Sequence, residues 1–285
     1  MTSEPMQAPP LSRPSHVVGA SRLRGHDLTL AYGDTRVAEH LSVDIPDGAF
    51  TVIVGPNACG KSTLLKALAR LRTPQAGQVY LDGALIGSYP TREVARRLGL
   101  LPQTAIAPEG IRVAELVARG RHPHQSLFGA WTAADDRIVA QALRATAIED
   151  LADRLVDELS GGQRQRVWVA MVLAQDTPLM LLDEPTTYLD LAHQIDLLEL
   201  FRDLNRREGR TLVAELHDLN HACRYADHLV MLRQGRLVAQ GAPGEIITAQ
   251  LVEQVFDLPC RIIEDPVSGM PLVIPEGRAR HASAT

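Results

Sequence analysis

A continuous apolar run, Phe50-Thr51-Val52-Ile53-Val54, stops at Gly55 and passes through a short loop into the helical pattern KSTLLKALARL. Unbroken hydrophobicity over so few residues describes a strand buried on both faces, the kind found in parallel sheets covered by helices. The loop itself, Gly55-Pro56-Asn57-Ala58-Cys59-Gly60-Lys61-Ser62, satisfies G-x-x-x-x-G-K-[ST] in the strand-then-helix setting that the motif needs. Glycines let successive backbone amides converge on one phosphate chain, and the helix that opens through Ser62 and Thr63 adds the positive end of its dipole. Lys61 brings a full charge to the β and γ phosphates, and the Ser62 hydroxyl can ligate Mg²⁺. Cys59 reads as a small filler rather than a nucleophile, because phosphate occupies the loop.

The rest of the chain repeats strand and helix signals. HDLTLAYG, EHLSVDIPDG and GQVYLDGALI are short alternating runs ended by Gly, Asp or Pro, which predicts antiparallel strands. Residues 110–157 are rich in Ala and Arg at helical spacing and predict a helical insert. After it come the apolar run PLMLLDEP, a helix over LAHQIDLLELFRDLNRR, the strand TLVAELHD and a hairpin turning at Gln234-Gly235. Alternation of this kind argues for an α/β fold with a parallel sheet. No internal repeat is visible.

Two further stretches carry chemistry. Strand LMLL ends in Asp183-Glu184, which places two carboxylates at the carboxyl edge of a buried parallel strand, where ligands of open α/β sheets sit. Asp183 suits an outer Mg²⁺ ligand that holds a coordinated water, and Glu184 suits a base for the water attacking a γ phosphate. His217, at the end of the next strand, is placed to reach the same phosphate. Upstream of that strand, DELSGGQRQR reads as a turn opening into a second helix, with Ser160, Gly161, Gly162 and Gln163 where backbone amides are still unpaired. One nucleotide needs only one such loop, so the second demands a reason. Arg164 and Arg166 follow on that helix and read as solvated or interface charges.

Composition excludes several classes. Among 285 residues, Lys+Arg number 29 against 34 Asp+Glu, and the net charge of −5 supplies no global field for nucleic acid. The apolar runs fall short of the ~18 residues that mark a membrane span. The three cysteines are widely separated and suggest neither a disulfide framework nor a zinc site, which fits a reducing cytoplasm. The His122-x-His124 pair lacks further ligands for a metal.

With these residues in order, the chain resembles the ATP-binding subunit of an ABC transporter over about residues 26–245. Leu159 to Gln163 match the signature motif, LMLLDEP the second nucleotide motif, Gln103 the Q-loop, Asp190 the D-loop and His217 the switch histidine. The resemblance implies a P-loop NTPase core with a parallel sheet, an antiparallel β subdomain and a helical subdomain. The Pro- and Ser-rich start reads as a disordered tail over 1–22, and the resemblance implies an ATP-binding domain over 23–260 with its helical insert at about 104–157, and a short C-terminal hairpin and tail over 261–285. It gives Tyr32 the place of an adenine-stacking ring and Gln103 a share in metal binding and catalysis. It also answers the question of the second loop: two identical subunits pair head to tail, and each ATP lies between the P-loop of one and the signature helix of the other. One departure is Ala58, where the family usually has glycine; a positive φ there would cost the methyl group about 1 kcal/mol.

GRHPHQSLFGAW, DEPTTYLDLAHQIDLLEL, LHDLNHACRYADHLVML and LPCRIIEDPVSGMPLVIP resemble the ATPases of bacterial iron(III)-siderophore importers, close kin of those for haem and vitamin B12. That implies integral membrane permease subunits as partners, an indirect link to a substrate-binding protein, and a place on the cytoplasmic face of the membrane. The rival is a non-transport ABC ATPase of translation or DNA repair. The single cassette and the absence of a heptad run oppose it, and Glu184 opposes a non-hydrolysing regulatory module.

Overall fold

The computed structural model describes residues 21–33, 35–125 and 130–277. Three sheets organise the chain. β1 (Ser21–Tyr32), β2 (Thr35–Pro46), β4 (Ala76–Leu81) and β5 (Ala84–Leu85) form an antiparallel sheet in the order β2-β1-β4-β5. β3 (Phe50–Val54), β6 (Leu98–Leu101), β7 (Leu179–Leu182), β8 (Thr211–Glu215), β9 (His228–Arg233) and β10 (Arg236–Gly241) form the central sheet in the order β10-β9-β3-β8-β7-β6. All of its pairings are parallel except that of β9 with β10. β11 (Cys260–Glu264) and β12 (Pro271–Pro275) make the C-terminal hairpin.

The apolar runs of β3, β7 and β8 have a packing cause. Phe50, Val52 and Val54 enter one hydrophobic core with Met180 and Leu182, whereas Ile53, Leu179, Leu181 and Val213 enter a second core on the opposite face. Side chains alternate across a strand, so a sheet with a core on each side requires hydrophobic residues at every position. The second core is completed by α1 (Lys61–Leu68) through Leu64, Leu65 and Leu68, and by the antiparallel sheet through Leu23, Leu28 and Ile45. At ~25 cal/mol per Å² of apolar surface buried, this two-sided burial is the main force that holds the central sheet.

The remaining helices are α2 (Thr91–Arg97), α3 (Val113–Ala118), α4 (Ala133–Ala145), α5 (Gly161–Ala174), α6 (Leu191–Glu208), α7 (Leu219–Tyr225), α8 (Pro243–Ile246) and α9 (Ala249–Phe256). α3 and α4 pack on α5, so the helical unit reaches past residue 157 into the helix opened by Ser160. Its anchor is a buried ion pair: Arg121 Nε donates to Asp135 at 2.9 Å and its Nη1 donates to the Ala174 carbonyl at 3.0 Å. Asp135 also closes the capping box of α4 with Thr132. Hydrogen bonds from Thr132 and Arg121 hold its carboxyl down at about 2.

Two expected boundaries move. Ser21 and Arg22 belong to β1 rather than to a tail, because Ser21 pairs with Pro46 and Arg22 forms an ion pair with Asp82 at 2.7 Å. The expected tail over 1–20 lies outside the described residues, as do 278–285. The terminal hairpin starts at Cys260, which pairs with Pro275. No helix among the described residues is long and apolar enough to cross a membrane.

Candidate nucleotide site

The P-loop connects β3 to α1, and its shape depends on residues that tolerate unusual backbone. Gly55 has φ 155°, and a Cβ there would lie 2.2 Å from the Leu232 carbonyl oxygen. Gly60, at φ 105°, precedes the helix. Ala58 adopts φ 59°, so the methyl group sits in the left-handed region that favours glycine. The loop rests on the hairpin turn between β9 and β10, whose Gly235 amide donates to the Cys59 carbonyl at 3.0 Å. Cys59 is buried, and burial pushes its thiol up, which matches a filler and not a thiolate.

Lys61 points back over the loop, donating to the Gly55 and Pro56 carbonyls at 3.0 Å each, and is only 4 % exposed. A buried ammonium requires a counter-charge. It is supplied by Glu215, at 3.4 Å, from the carboxyl end of β8. Glu215 also accepts a 2.7 Å hydrogen bond from Ser62 Oγ. It is 2 % exposed, and burial pushes its carboxyl up against the opposing pull of Ser62 and Lys61. The sequence alone does not mark this residue; the pairing of Leu182 in β7 with Ala214 in β8 brings the residues that follow them, Asp183 and Glu215, to the same sheet edge.

Asp183 is 1 % exposed, and neither of its carboxylate oxygens has a hydrogen-bond partner; Lys66 Nζ stands 3.6 Å away. Glu184 follows with φ 50°, a conformation costly for a residue with a Cβ. That turn leaves the strand line and brings Glu184 to His217, whose Nε2 is 2.9 Å from Oε1, and to Thr187, whose hydroxyl donates to Oε2 at 3.1 Å. Burial pushes the Glu184 carboxyl up; hydrogen bonds from His217 and Gln103, the His217 charge and Thr187 outweigh it, and the carboxyl ends below its ordinary value. Glu184 is therefore held as a carboxylate, with Gln103 and His217 beside it.

These groups share one cleft of about 590 Å³, lined among others by Tyr32, Asn57, Lys61, Gln103, Glu184 and His217. Ser62 and Thr63 complete its floor, with Ala58 and Gly60 at the loop. At its rim Tyr32 is 46 % exposed, and the Arg72 guanidinium lies 3.7 Å from its ring centroid. Arg72 thus supports the Tyr32 ring by a cation–π contact, a partnership that a reading of Tyr32 alone did not include.

Ser160, Gly161, Gly162 and Gln163 are not in that cleft. They line a second one, of about 610 Å³, together with Arg166, Tyr188, Leu189 and Asp190. Ser160 caps α5: its hydroxyl accepts from the Gln163 amide at 3.2 Å, and the Gln163 side chain accepts from the Ser160 amide at 3.0 Å. The cap fixes the first turn, and Gly161 and Gly162 present backbone without side chains to the opening. Asp190 caps α6 on the same wall, accepting from the His193 amide at 2.9 Å. Arg166 lines this cleft. Of the histidine pair, His124 Nε2 bonds the Gln175 carbonyl at 2.8 Å.

A buried lysine in a glycine-curled loop, beside a cluster of carboxylates and a histidine, can hold a triphosphate and a hard cation and can position a water. Known proteins agree with that chemistry. Residues 38–187 match the ABC transporter family model. The chain is similar to the ferric enterobactin transport ATP-binding protein of Escherichia coli K12, at 62% identity over 93% of this chain and 97% of that one. It is similar in structure to a metal-chelate-type ABC transporter in an inward-facing conformation, with TM-score 0.76, 29% identity and coverage of 90% and 97%. A dimeric bacterial ABC transporter cassette superposes with TM-score 0.70 at 26% identity, covering 77% of this chain and 98% of that one. The chain belongs to the ABC transporter family, as one of its ATP-binding subunits.

Proposed function

We propose that two copies of this chain hydrolyse ATP at paired composite sites and so drive import of an iron(III)-siderophore through membrane permease subunits, at the cytoplasmic face of the bacterial membrane. The observation that supports the composite site is the separation of its halves: the P-loop and the signature helix of one chain line two different clefts. A phosphate held by Lys61 of one copy therefore meets the Ser160 helix of another. The cargo class is supported by the similarity to a ferric enterobactin transport subunit. A delivering substrate-binding protein belongs to the same reading, outside any contact with this chain.

The donor set fits Mg²⁺. Ser62 offers a hydroxyl and Gln103 a side-chain amide, and the two orphaned oxygens of buried Asp183 are the acceptors that metal-bound water would satisfy. When bound, the ion neutralises charge on the β and γ phosphates. Lys61 and the loop amides of Gly55, Asn57, Ala58, Cys59 and Gly60 hold the phosphates, Pro56 shapes the loop without an N–H of its own, and Tyr32, with Arg72 at its ring, stacks the base. Glu184 takes the proton from the attacking water, and His217 holds that carboxylate and the γ phosphate in register. On the opposing copy, Ser160, Gly161, Gly162 and Gln163 direct the positive end of α5 at the γ phosphate, and Asp190 lines the same contact. ATP thereby joins the two copies, and loss of its γ phosphate releases them.

Deleting the gene in its host tests the cargo. Uptake of radiolabelled iron(III)-siderophore should stop while haem and cobalamin uptake continues. Loss of cobalamin uptake with siderophore uptake intact would contradict the proposal.

A further inference from the structure

We infer that Glu215 makes nucleotide binding conditional on a divalent cation: it obstructs the metal-free triphosphate and becomes a supporting ligand once the cation is present. The inference rests on the nucleotide reading of the P-loop cleft and assigns a specificity role to a residue not among the expected site residues. Glu215 engages the two side chains that the phosphates and the cation need, accepting from Ser62 Oγ at 2.7 Å and facing Lys61 Nζ at 3.4 Å. Around the P-loop two ammonium groups, Lys61 and Lys66, face three carboxylates, Asp183, Glu184 and Glu215. Glu215 adds negative charge to the cleft before a polyanion arrives, at a position 2 % exposed where solvent screens poorly.

A cation changes the sign of that contribution. A divalent ion on the Ser62 hydroxyl lies within reach of the carboxylate already bonded to that hydroxyl. A second observation points the same way: one ligand atom each from Glu184, Glu215 and His217 lies within 4.8 Å of the others, and the nearby Asp183 oxygens are buried without hydrogen-bond partners. Glu215 thus serves two partners in turn. Lys61 is its counter-charge in the absence of nucleotide, and the cation is its counter-charge in the presence of nucleotide, so the carboxylate is never left buried and unpaired.

The test is equilibrium binding of ATP to the full-length chain, measured by calorimetry in excess EDTA and in excess Mg²⁺, for the wild type, Glu215→Gln and Glu215→Val. In the wild type Mg²⁺ should strengthen ATP binding strongly. In both variants the ratio of the two dissociation constants should shrink at least about tenfold, a modest share of the repulsion between buried like charges. Most of that change should come from tighter binding of metal-free ATP. Ligand-free thermal unfolding identifies a variant that has lost its fold, and the Gln side chain keeps the shape and the Ser62 hydrogen bond. An unchanged ratio, or equal weakening with and without Mg²⁺, would overturn the inference while leaving the nucleotide reading intact. A wild type that binds no ATP even with Mg²⁺ would overturn both.

Discussion

The P-loop cleft and the signature cleft are similar in volume and opposite in construction. In the first, charged groups are buried and already bonded to the protein: Lys61 to two carbonyls and Glu215, Glu184 to His217 and Thr187. In the second, the α5 terminus is capped by neutral side chains, and the opening is exposed, with Tyr188 at 80 % exposure beside Arg166 and Asp190. Buried, pre-ordered charge is what a reacting centre needs, because the groups do not have to reorganise when charge develops. An exposed rim around a helix N-terminus is what a recognition surface needs. The comparison assigns chemistry to one face of the chain and completion of a partner's site to the other.

The largest way to break that assignment is Glu184→Gln. Loss of the base should lower hydrolysis by about 10² to 10⁴ while ATP is still held, so the variant should accumulate as an ATP-bound dimer in size-exclusion chromatography. Full hydrolysis in this variant would remove Glu184 from the reaction. Ser160→Ala cuts the other face. It should lower hydrolysis about tenfold through lost polar contacts to the partner's phosphate, with ATP binding to dilute, monomeric chain unchanged. Weaker binding by the monomer would place Ser160 in its own chain's nucleotide site.

Smaller effects sharpen the contrast between the two faces. Ala58 holds φ 59°, so Ala58→Gly should relieve up to about 1 kcal/mol of strain in the folded chain, read as a raised denaturant midpoint. The signature face depends instead on the Arg121–Asp135 pair that anchors its helices. Because the folded Asp135 carboxyl is depressed to about 2, its contribution is fully present above the ordinary carboxylate range and is lost as pH falls toward 2. Asp135→Asn should flatten the loss of stability between about pH 4 and pH 2, measured by denaturant midpoints at each pH.

The two clefts also differ in how much of each the sequence discloses. Gly55 to Thr63, Asp183-Glu184 and Ser160 to Gln163 are contiguous, and each carries its chemistry in local spacing. The central strands were legible for the same reason, since two-sided burial writes an unbroken apolar run. Glu215 was not legible as a site residue, because its partner Ser62 is remote in the chain and meets it only through the adjacency of β3 and β8. Arg72 at Tyr32 and the support that Gly235 gives to Cys59 are likewise products of sheet topology. β6, four residues long, is too short a run to read as a strand, although the Gln103 motif follows two residues after it. Charges drawn together by the sheet edge are thus the part of the site that only the fold displays.

Specific ATPase activity of the isolated chain as a function of its own concentration tests the central claim most directly. If each nucleotide needs the P-loop cleft of one copy and the signature cleft of another, activity per molecule should fall steeply on dilution and recover on concentration. Constant activity per molecule at every dilution, from a species shown to be monomeric, would contradict it.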